Sequence, residues 1–189
     1  MLKKIALAGT VALVFSSSGA LADVQTATAG SGKITFKGTV VDAPCGIDPL
    51  SVNQTIDFGQ ISKTALNNNG TSEQKDVDIR LVNCAIDTAK TVTVSFSGGY
   101  VDNTPNELNA LGPSDATNNT TGVAIVMASQ AVDKQGDLVS FDGKPGKATT
   151  VQPGDNTLHY TAWVKKATGA SQVNPGDFSA VTNFVLTYQ

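Results

Sequence analysis

The sequence has few of the side chains that usually carry catalysis or bind metals. Its 189 residues include one histidine, one tryptophan and two cysteines. It contains no C-x-x-C pair, no H-E-x-x-H, no G-x-S-x-G, no P-loop and no G-x-G-x-x-G. The histidine, His159, alternates with Leu158 and Tyr160, which is typical of a solvent-facing position on a strand. We therefore predict that the chain is not an enzyme and has no catalytic, metal or cofactor site.

Long hydrophobic runs are also missing, apart from a short one at the beginning. The run Ile5–Phe15 is well short of the roughly 20 apolar residues that span a membrane. Lys3 and Lys4 precede it, and the small-x-small pattern Ala20-Leu21-Ala22 follows it. These features favour a secretory signal peptide at residues 1–22 over a membrane anchor. The exported chain would begin at Asp23 and comprise 167 residues, which suits one domain.

Positive charge is scarce in the exported chain. Removing Lys3 and Lys4 from the 13 basic residues leaves 11 against 16 acidic ones, a net charge of −5. No cluster of lysine or arginine is present. This balance argues against binding to nucleic acid or to an anionic membrane surface.

The two cysteines, Cys45 and Cys84, most simply form one disulfide in an exported chain. A metal site is the alternative, but it would need ligands besides the two cysteines, and the sequence contains only one histidine and no C-x-x-C pair. The disulfide would close a loop of about 40 residues, which corresponds to roughly 4 kcal/mol of loop-closure entropy.

Apolar residues alternate at a period of two through much of the chain, and helical periodicity is almost absent. The clearest alternating segments are 77–81, 92–96, 158–164 and 184–188. Val123–Met127 is a further buried-looking run, and shorter strands are predicted at 33–37, 39–42, 55–58, 138–141 and 148–151. Residues 101–121 are predicted to be a long polar loop. This spacing predicts an all-β, immunoglobulin-like sandwich.

The last segment raises a question of pairing. Phe184, Leu186 and Tyr188 share one face of a predicted strand, and the sequence stops at Gln189. The apolar face of this strand must be covered, and its backbone amides and carbonyls must form hydrogen bonds. We therefore expect this strand to lie deep in a sheet, with some other strand paired to it.

Several motifs together resemble the structural pilins of the bacterial chaperone–usher route, the type 1 and P-pilus kind. The segment from Lys33 to Cys45, reading KITFKGTVVDAPC, is similar to the segment that leads to the first cysteine of that family. The second cysteine follows Leu-Val-Asn, and the terminal pattern F-x-L-x-Y-Q places tyrosine next to last. Gly176 stands fourteenth from the end, where the family carries a glycine.

The resemblance implies a sandwich that lacks its last strand, so that the terminal strand borders an open groove. It implies that a periplasmic chaperone fills the groove first, and that the N-terminal extension of the next subunit then replaces the chaperone strand. An outer-membrane usher and identical or related pilin subunits are the other implied partners. The implied organisation is a donor extension at 23–37 and a pilin domain at 38–189. Gly176, Phe184, Leu186 and Tyr188 are the implied groove and terminal-strand residues.

The extension itself has features of a donated strand. Ile34 and Phe36 share a face with Gly30 and Gly32, where a crowded pocket would admit little else. We predict that these four residues fill the groove, and that Thr26 and Thr28 extend the same line.

The function expected from the resemblance is a structural subunit of a surface fimbria, exported through the periplasm, that supports adhesion. A minor, adapter or glycan-binding fimbrial subunit is the alternative, and a small secreted β-sandwich enzyme is a third possibility. An adhesin of this family would resemble a pilin domain with an added lectin domain, for which 167 residues leave no room.

Overall fold

The computed structural model describes residues 32–85, 90–112, 118–129 and 137–189. The predicted signal peptide and the predicted donor residue Gly30 lie outside these ranges, as do Thr26 and Thr28. The chain divides into two units, Met1–Thr39 and Val40–Gln189. Across the described ranges, no helix has the length and apolar character needed to cross a membrane.

The described part of the first unit, residues 32–39, forms neither helix nor strand. Its two large apolar side chains are exposed, Ile34 at 79% and Phe36 at 89%. The predictions of strands at 33–37 and 39–42 are therefore wrong for this single chain. A short extended segment is stable as a strand only when a neighbour satisfies its backbone groups.

Two β-sheets form the second unit, and the larger has six strands. Its strands, in spatial order, are β1 (Gly46–Ile47), β2 (Lys75–Cys84), β9 (Gly154–Lys166), β6 (Val123–Ser129), β5 (Thr104–Asn109) and β4 (Tyr100–Val101). All neighbouring pairs are antiparallel. In the pairing of β2 with β9, Val77 lies opposite Tyr160 and Ile79 lies opposite Leu158.

The smaller sheet has β3 (Lys90–Gly98) at its centre. One side of β3 pairs with β10 (Thr182–Tyr188), and the other side pairs with β7 (Asp142–Pro145) and β8 (Thr149–Val151). Two short helices lie outside the sheets, α1 (Pro49–Val52) and α2 (Lys63–Asn67), each with its N-cap side chain hydrogen-bonded to the first turn.

The sheets pack face to face through the residues that alternate in the sequence. Val92, Val94 and Phe96 of β3 are buried against side chains of β2 and β9. The rings of Phe96 and Tyr160 meet edge to face with centroids 5.1 Å apart. The period of two therefore specified the core correctly, and the all-β sandwich is confirmed.

One lateral side of the sandwich is closed by the segment before β7. The Val139 amide donates to Met127 of β6 (2.8 Å), and the Phe141 amide donates to Pro105 of β5 (2.8 Å). The Phe141 carbonyl accepts from the Gly98 amide at the end of β3 (3.0 Å). This segment therefore joins both sheets at the side away from β1 and β10.

The prediction of a long polar loop at 101–121 is wrong, because the region contributes β5 to the larger sheet. Glu107 on β5 is buried, and its carboxylate accepts from Lys165 Nζ (2.6 Å) and from the amide and hydroxyl of Thr168 (2.7 and 2.6 Å). Burial raises the pKa of Glu107, but these hydrogen bonds lower it more, so the pKa lies below its usual value. The polar sequence thus forms a strand by satisfying its buried charge.

Two other strand predictions also need correction. Residues 55–58 form no strand; Phe58 is instead held by its side chain, partly buried against the core. Residues 138–141 cross between the sheets, and the strand on this side is β7, which begins only at Asp142. The predicted strand at 148–151 is confirmed as β8.

A disulfide joins Cys45 to Cys84, as predicted, with a sequence separation of 39 residues. Both cysteines are buried in the core cluster. The Ala85 amide donates to the Pro44 carbonyl (2.8 Å) beside the disulfide. The bond therefore fixes the start of β1 against the end of β2.

We expect the double variant Cys45→Ser/Cys84→Ser to fold less stably than the parent chain. Loss of the cross-link restores loop-closure entropy to the unfolded chain, worth about 4 kcal/mol for a loop of this length. For a domain of this size, that corresponds to a fall in melting temperature of roughly 10 °C. Thermal unfolding under oxidising and reducing conditions measures it: the parent should match the variant only after reduction. An unchanged melting temperature in the variant would contradict this role.

Candidate functional site

The candidate site is the outer edge of β10, at the side of the sandwich that the 138–142 segment does not close. The smaller sheet ends there at β10, and the larger sheet ends there at β1. In the part of the chain that the structure describes, β3 is the only strand paired with β10. An immunoglobulin-like sandwich with sheets ABED and CFG would have its G strand at this edge.

The backbone of β10 presents hydrogen-bonding groups to this edge in a regular pattern. Thr91 and Gln189 exchange two hydrogen bonds (3.0 and 2.9 Å), and the register continues without a shift to Thr182. Hydrogen-bonded and non-hydrogen-bonded pairs alternate in an antiparallel ladder. The amides and carbonyls of Thr182, Phe184, Leu186 and Tyr188 therefore point away from β3, toward the open edge.

The side chains of these residues face the core, but the core covers them incompletely. Phe184, Leu186 and Tyr188 are half-buried, whereas their cross-strand partners Phe96, Val94 and Val92 are exposed by 4%, 5% and 0%. This half-exposed apolar row along the open edge of β10 is the candidate groove.

The larger sheet supplies the opposite wall of this groove. Ile47 of β1 and Val77 of β2 are partly buried and pack against the same core cluster as β10. Their sheet ends at β1 on this side. The disulfide fixes the segment before β1, so the wall is anchored close to the groove.

The core-facing row of β10 ends at Tyr188, which carries a buried polar atom. The hydroxyl oxygen of Tyr188 is buried and has no hydrogen-bond partner among the described residues. Burial raises the pKa of Tyr188 above its usual value.

The other predicted site residues lie elsewhere. Gly176 is in the turn before β10, with a φ of 154° that side-chain-bearing residues rarely adopt, and a Cβ there would lie 3.3 Å from Thr121 Cγ2. Gly176 therefore lies in the approach to β10 and not within the strand. Ile34 and Phe36 belong to the first unit.

His159 lies exposed on the outer face of the larger sheet, as expected. Its Nδ1 atom is 2.8 Å from Oδ1 of Asp78 on β2. Across the described ranges, no group of three or more His, Cys, Asp or Glu side chains is placed to hold a metal ion.

The chain matches a known protein family over most of its length. The sequence model of the family described as "Fimbrial protein" matches residues 34–189. The chain belongs to the fimbrial protein family. It is a structural subunit of a fimbria and not an enzyme. The match begins at Ile34, so it includes the apolar residues of the predicted donor segment as well as the whole sandwich.

Relatives of this pilin are similar over their whole length. The Pap fimbrial major pilin protein of Escherichia coli is 46% identical over 199 aligned residues that span all of both chains. A structure of a chaperone–usher pilus matches with a TM-score of 0.76 at 45% identity, covering 85% of this chain and 97% of the other. The crystal structure of the P pilus rod subunit PapA matches with a TM-score of 0.68 at 43% identity, covering 78% and 100%.

Sequence reasoning did not find the opposite wall of the groove. Ile47 follows Cys45 in a segment too short for its two-residue strand to show any periodicity. Val77 was recognised as a strand residue, but its place beside the open edge depends on the order of strands in the sheet. The signal for Ile47 was its position two residues after the first cysteine.

We expect the open edge to appear as an alternation of amide hydrogen exchange along β10. In the monomeric pilin, the amides of Asn183, Val185 and Thr187 donate to β3 and should exchange slowly. The amides of Phe184, Leu186 and Tyr188 face the edge and should exchange much faster, as unpaired amides do. Residue-resolved exchange by NMR distinguishes the two sets. Equal protection of both sets in a monomer would mean that the edge is already paired.

Proposed function

We propose that this pilin polymerises head to tail by strand donation, with the N-terminal extension of one subunit filling the groove beside β10 of the next. The observation that carries the proposal is the outer edge of β10, whose inward side chains are half-buried and whose outer backbone groups face no strand among the described residues. An added strand would satisfy those groups by β-augmentation and cover the groove.

The predicted donor residues have the character that this groove needs. Ile34 and Phe36 are highly exposed in the single chain, although their side chains are among its most apolar. Exposure of two such residues is costly unless another surface covers them. Buried in a neighbour, each would contribute roughly 1.5–3 kcal/mol. Gly30 and Gly32 would let the donated strand pass close to the large residues of β10.

The symmetry of this contact leads to a filament. The donor segment and the groove are different surfaces of the same chain, so each bound subunit still has one of them free. Such a heterologous contact forms an open chain when its rotation does not close into a ring. Strand insertion buries core-type surface without a covalent bond, and its persistence would rest on a slow dissociation rate.

An empty groove also implies partners before assembly. An unpaired edge beside apolar side chains favours aggregation, so the groove needs a temporary occupant during export. We propose a periplasmic chaperone for that role and an outer-membrane usher for the exchange. The similarity to a structure of a chaperone–usher pilus supports this route. The proposed signal peptide at residues 1–22 would deliver the chain to the periplasm.

Within the fimbria, we propose that this chain is the major shaft subunit. Its similarity over full length to the E. coli Pap major pilin and to the rod subunit PapA supports that role. A minor or adapter subunit is the alternative, and copy number in isolated fibres discriminates between them. A shaft subunit should account for most of the fibre mass.

Peptide addition to a non-donating pilin tests the groove. The acceptor is residues 23–189 with Phe36→Asp, and the ligand is a synthetic peptide of residues 23–37. At a peptide concentration 100 times the Kd, binding should stabilise the folded state by about 2.7 kcal/mol. For a domain of this size, the melting temperature should rise by roughly 5–10 °C.

Matched peptides provide the controls for this melt. Ile34→Asp and Phe36→Asp peptides should give little or no shift, because a carboxylate would enter an apolar pocket. A Thr35→Asp peptide carries the same charge on the opposite face and should still stabilise the acceptor. If the unmodified peptide leaves the melting temperature unchanged, the domain is self-contained and strand donation is wrong.

Assembly in cells gives a separate test of donation. The Phe36→Asp pilin, expressed with its export machinery as the only copy of the subunit, should be folded and exported but should form few or no fibres. The Thr35→Asp pilin should assemble normally. Electron microscopy and the yield of sheared fibres measure the outcome, and normal fibres from Phe36→Asp would count heavily against the proposed donor residue.

A further inference from the structure

The edge of β2 beyond β1 is a second place at which a strand could be added on this side of the sandwich. β1 pairs with β2 at only two residues, Gly46 and Ile47, although β2 is ten residues long. The Asp48 amide donates one further hydrogen bond to the Arg80 carbonyl (2.9 Å), and no other described strand continues this pairing. A strand edge with unpaired amides and carbonyls is a template for pairing with another chain.

The chain leaves this edge because α1 begins directly after Asp48. If the antiparallel pairing continued, Leu50 would lie opposite Asp78 and its backbone would pair with that residue. Instead, the Asp48 carboxylate accepts from the Leu50 amide (2.8 Å) as the N-cap of α1, and Pro49 takes the first helical position. The helix therefore removes the backbone partner that β2 would otherwise have at Asp78.

Two side chains take the place of this backbone partner. The Ser51 hydroxyl accepts from the Arg80 amide (3.0 Å) and donates to the Asp78 carbonyl (3.3 Å). The side-chain amide of Gln54 donates to the same Asp78 carbonyl (2.8 Å) and to the Ser51 carbonyl (3.2 Å). Ser51 is only 4% exposed, although its side chain is polar. These contacts hold α1 against β2 and satisfy the groups that β2 directs to this edge.

Without these side chains, the edge of β2 would offer a donor segment both kinds of contact that it needs. Val77 of β2 packs against the core and is only partly buried. Ile34 and Phe36 are exposed in each copy and would gain from an apolar surface. Pairing with the backbone of Asp78 and Arg80 would add hydrogen bonds. A donor bound there would leave the groove beside β10 unfilled, so this binding would compete with assembly.

We infer that Ser51 and Gln54 are specificity-determining residues, which close the edge of β2 and so restrict strand donation to the edge of β10. The inference rests on the proposed strand donation and adds to it the reason why β10, and not β2, accepts the strand. The edge groups of β2 bond to side chains of their own chain, whereas those of β10 face no strand among the described residues. Protecting one edge in this way is a means of excluding unwanted pairing.

Matched pairs of substitutions test the closure of this edge. The parent is the Phe36→Asp acceptor already described for the peptide melts. The edge variant adds Ser51→Ala and Gln54→Ala to it. The control variant adds Ser62→Ala and Gln172→Ala instead, which removes the same two side-chain types from the cap of α2 and from an exposed segment.

Amide exchange at Arg80 and the number of bound peptides are the two measurements. Without peptide, the Arg80 amide should exchange about tenfold faster in the edge variant than in the parent and the control, because its hydrogen bond is lost. Excess peptide of residues 23–37 should restore protection in the edge variant, since a strand then pairs with β2. Calorimetric titration should give one bound peptide for the parent and the control, and two for the edge variant. A fold that was merely weakened would still bind one.

The outcomes separate this inference from the function on which it rests. If the folded edge variant binds one peptide and its Arg80 amide stays unprotected, the edge closure is wrong and strand donation at β10 stands. Two bound peptides in the control would also contradict it. If the edge variant does not fold, Gln54→Ala alone gives the same comparison, because it removes an exposed side chain from the Asp78 carbonyl. If the parent binds no peptide, strand donation fails, and peptide binding by the edge variant alone decides the edge closure.

Discussion

Backbone hydrogen bonding at one sheet edge is the constraint on which the rest of this structure depends. Every amide and carbonyl of a strand needs a partner or water. On β10, half of these groups pair with β3, and the other half face an edge with no strand beside it among the described residues. The residues with outward-pointing backbone groups are also those with inward-pointing side chains. With β3 as its only neighbour among the described strands, β10 has both unpaired backbone groups and incompletely covered side chains.

The rest of the sandwich is stabilised by contacts that do not involve the open edge of β10. The 138–142 segment closes the far side by pairing with β3, β5 and β6. On the near side, the disulfide fixes the start of β1 beside the groove. The central residues Val92, Val94 and Phe96 are fully covered, so the half-buried row on β10 rests on a packed layer.

The strands that the sequence predicted correctly are those in which apolar and polar residues alternate. Alternation through β2, β3, β9 and β10 located the core strands, because one face of each is buried and the other is solvated. The cysteine pair was also identified in advance. The prediction of a loop at 101–121 failed because Glu107 is buried through contacts with Lys165 and Thr168, which are distant in sequence. Hydropathy cannot show such pairing.

The same reasoning explains why segment 33–37 has strand character in its sequence but not in the single chain. Alternation of apolar residues indicates which face of a segment would be buried, but it does not identify the neighbour that would cover that face. Ile34 and Phe36 satisfy the pattern and remain exposed, while Phe184 and Leu186 satisfy it and remain half-covered. Under the proposed strand donation, the exposed segment of one copy would cover the half-covered strand of the next. Completing the fold and building the filament would then be the same physical event.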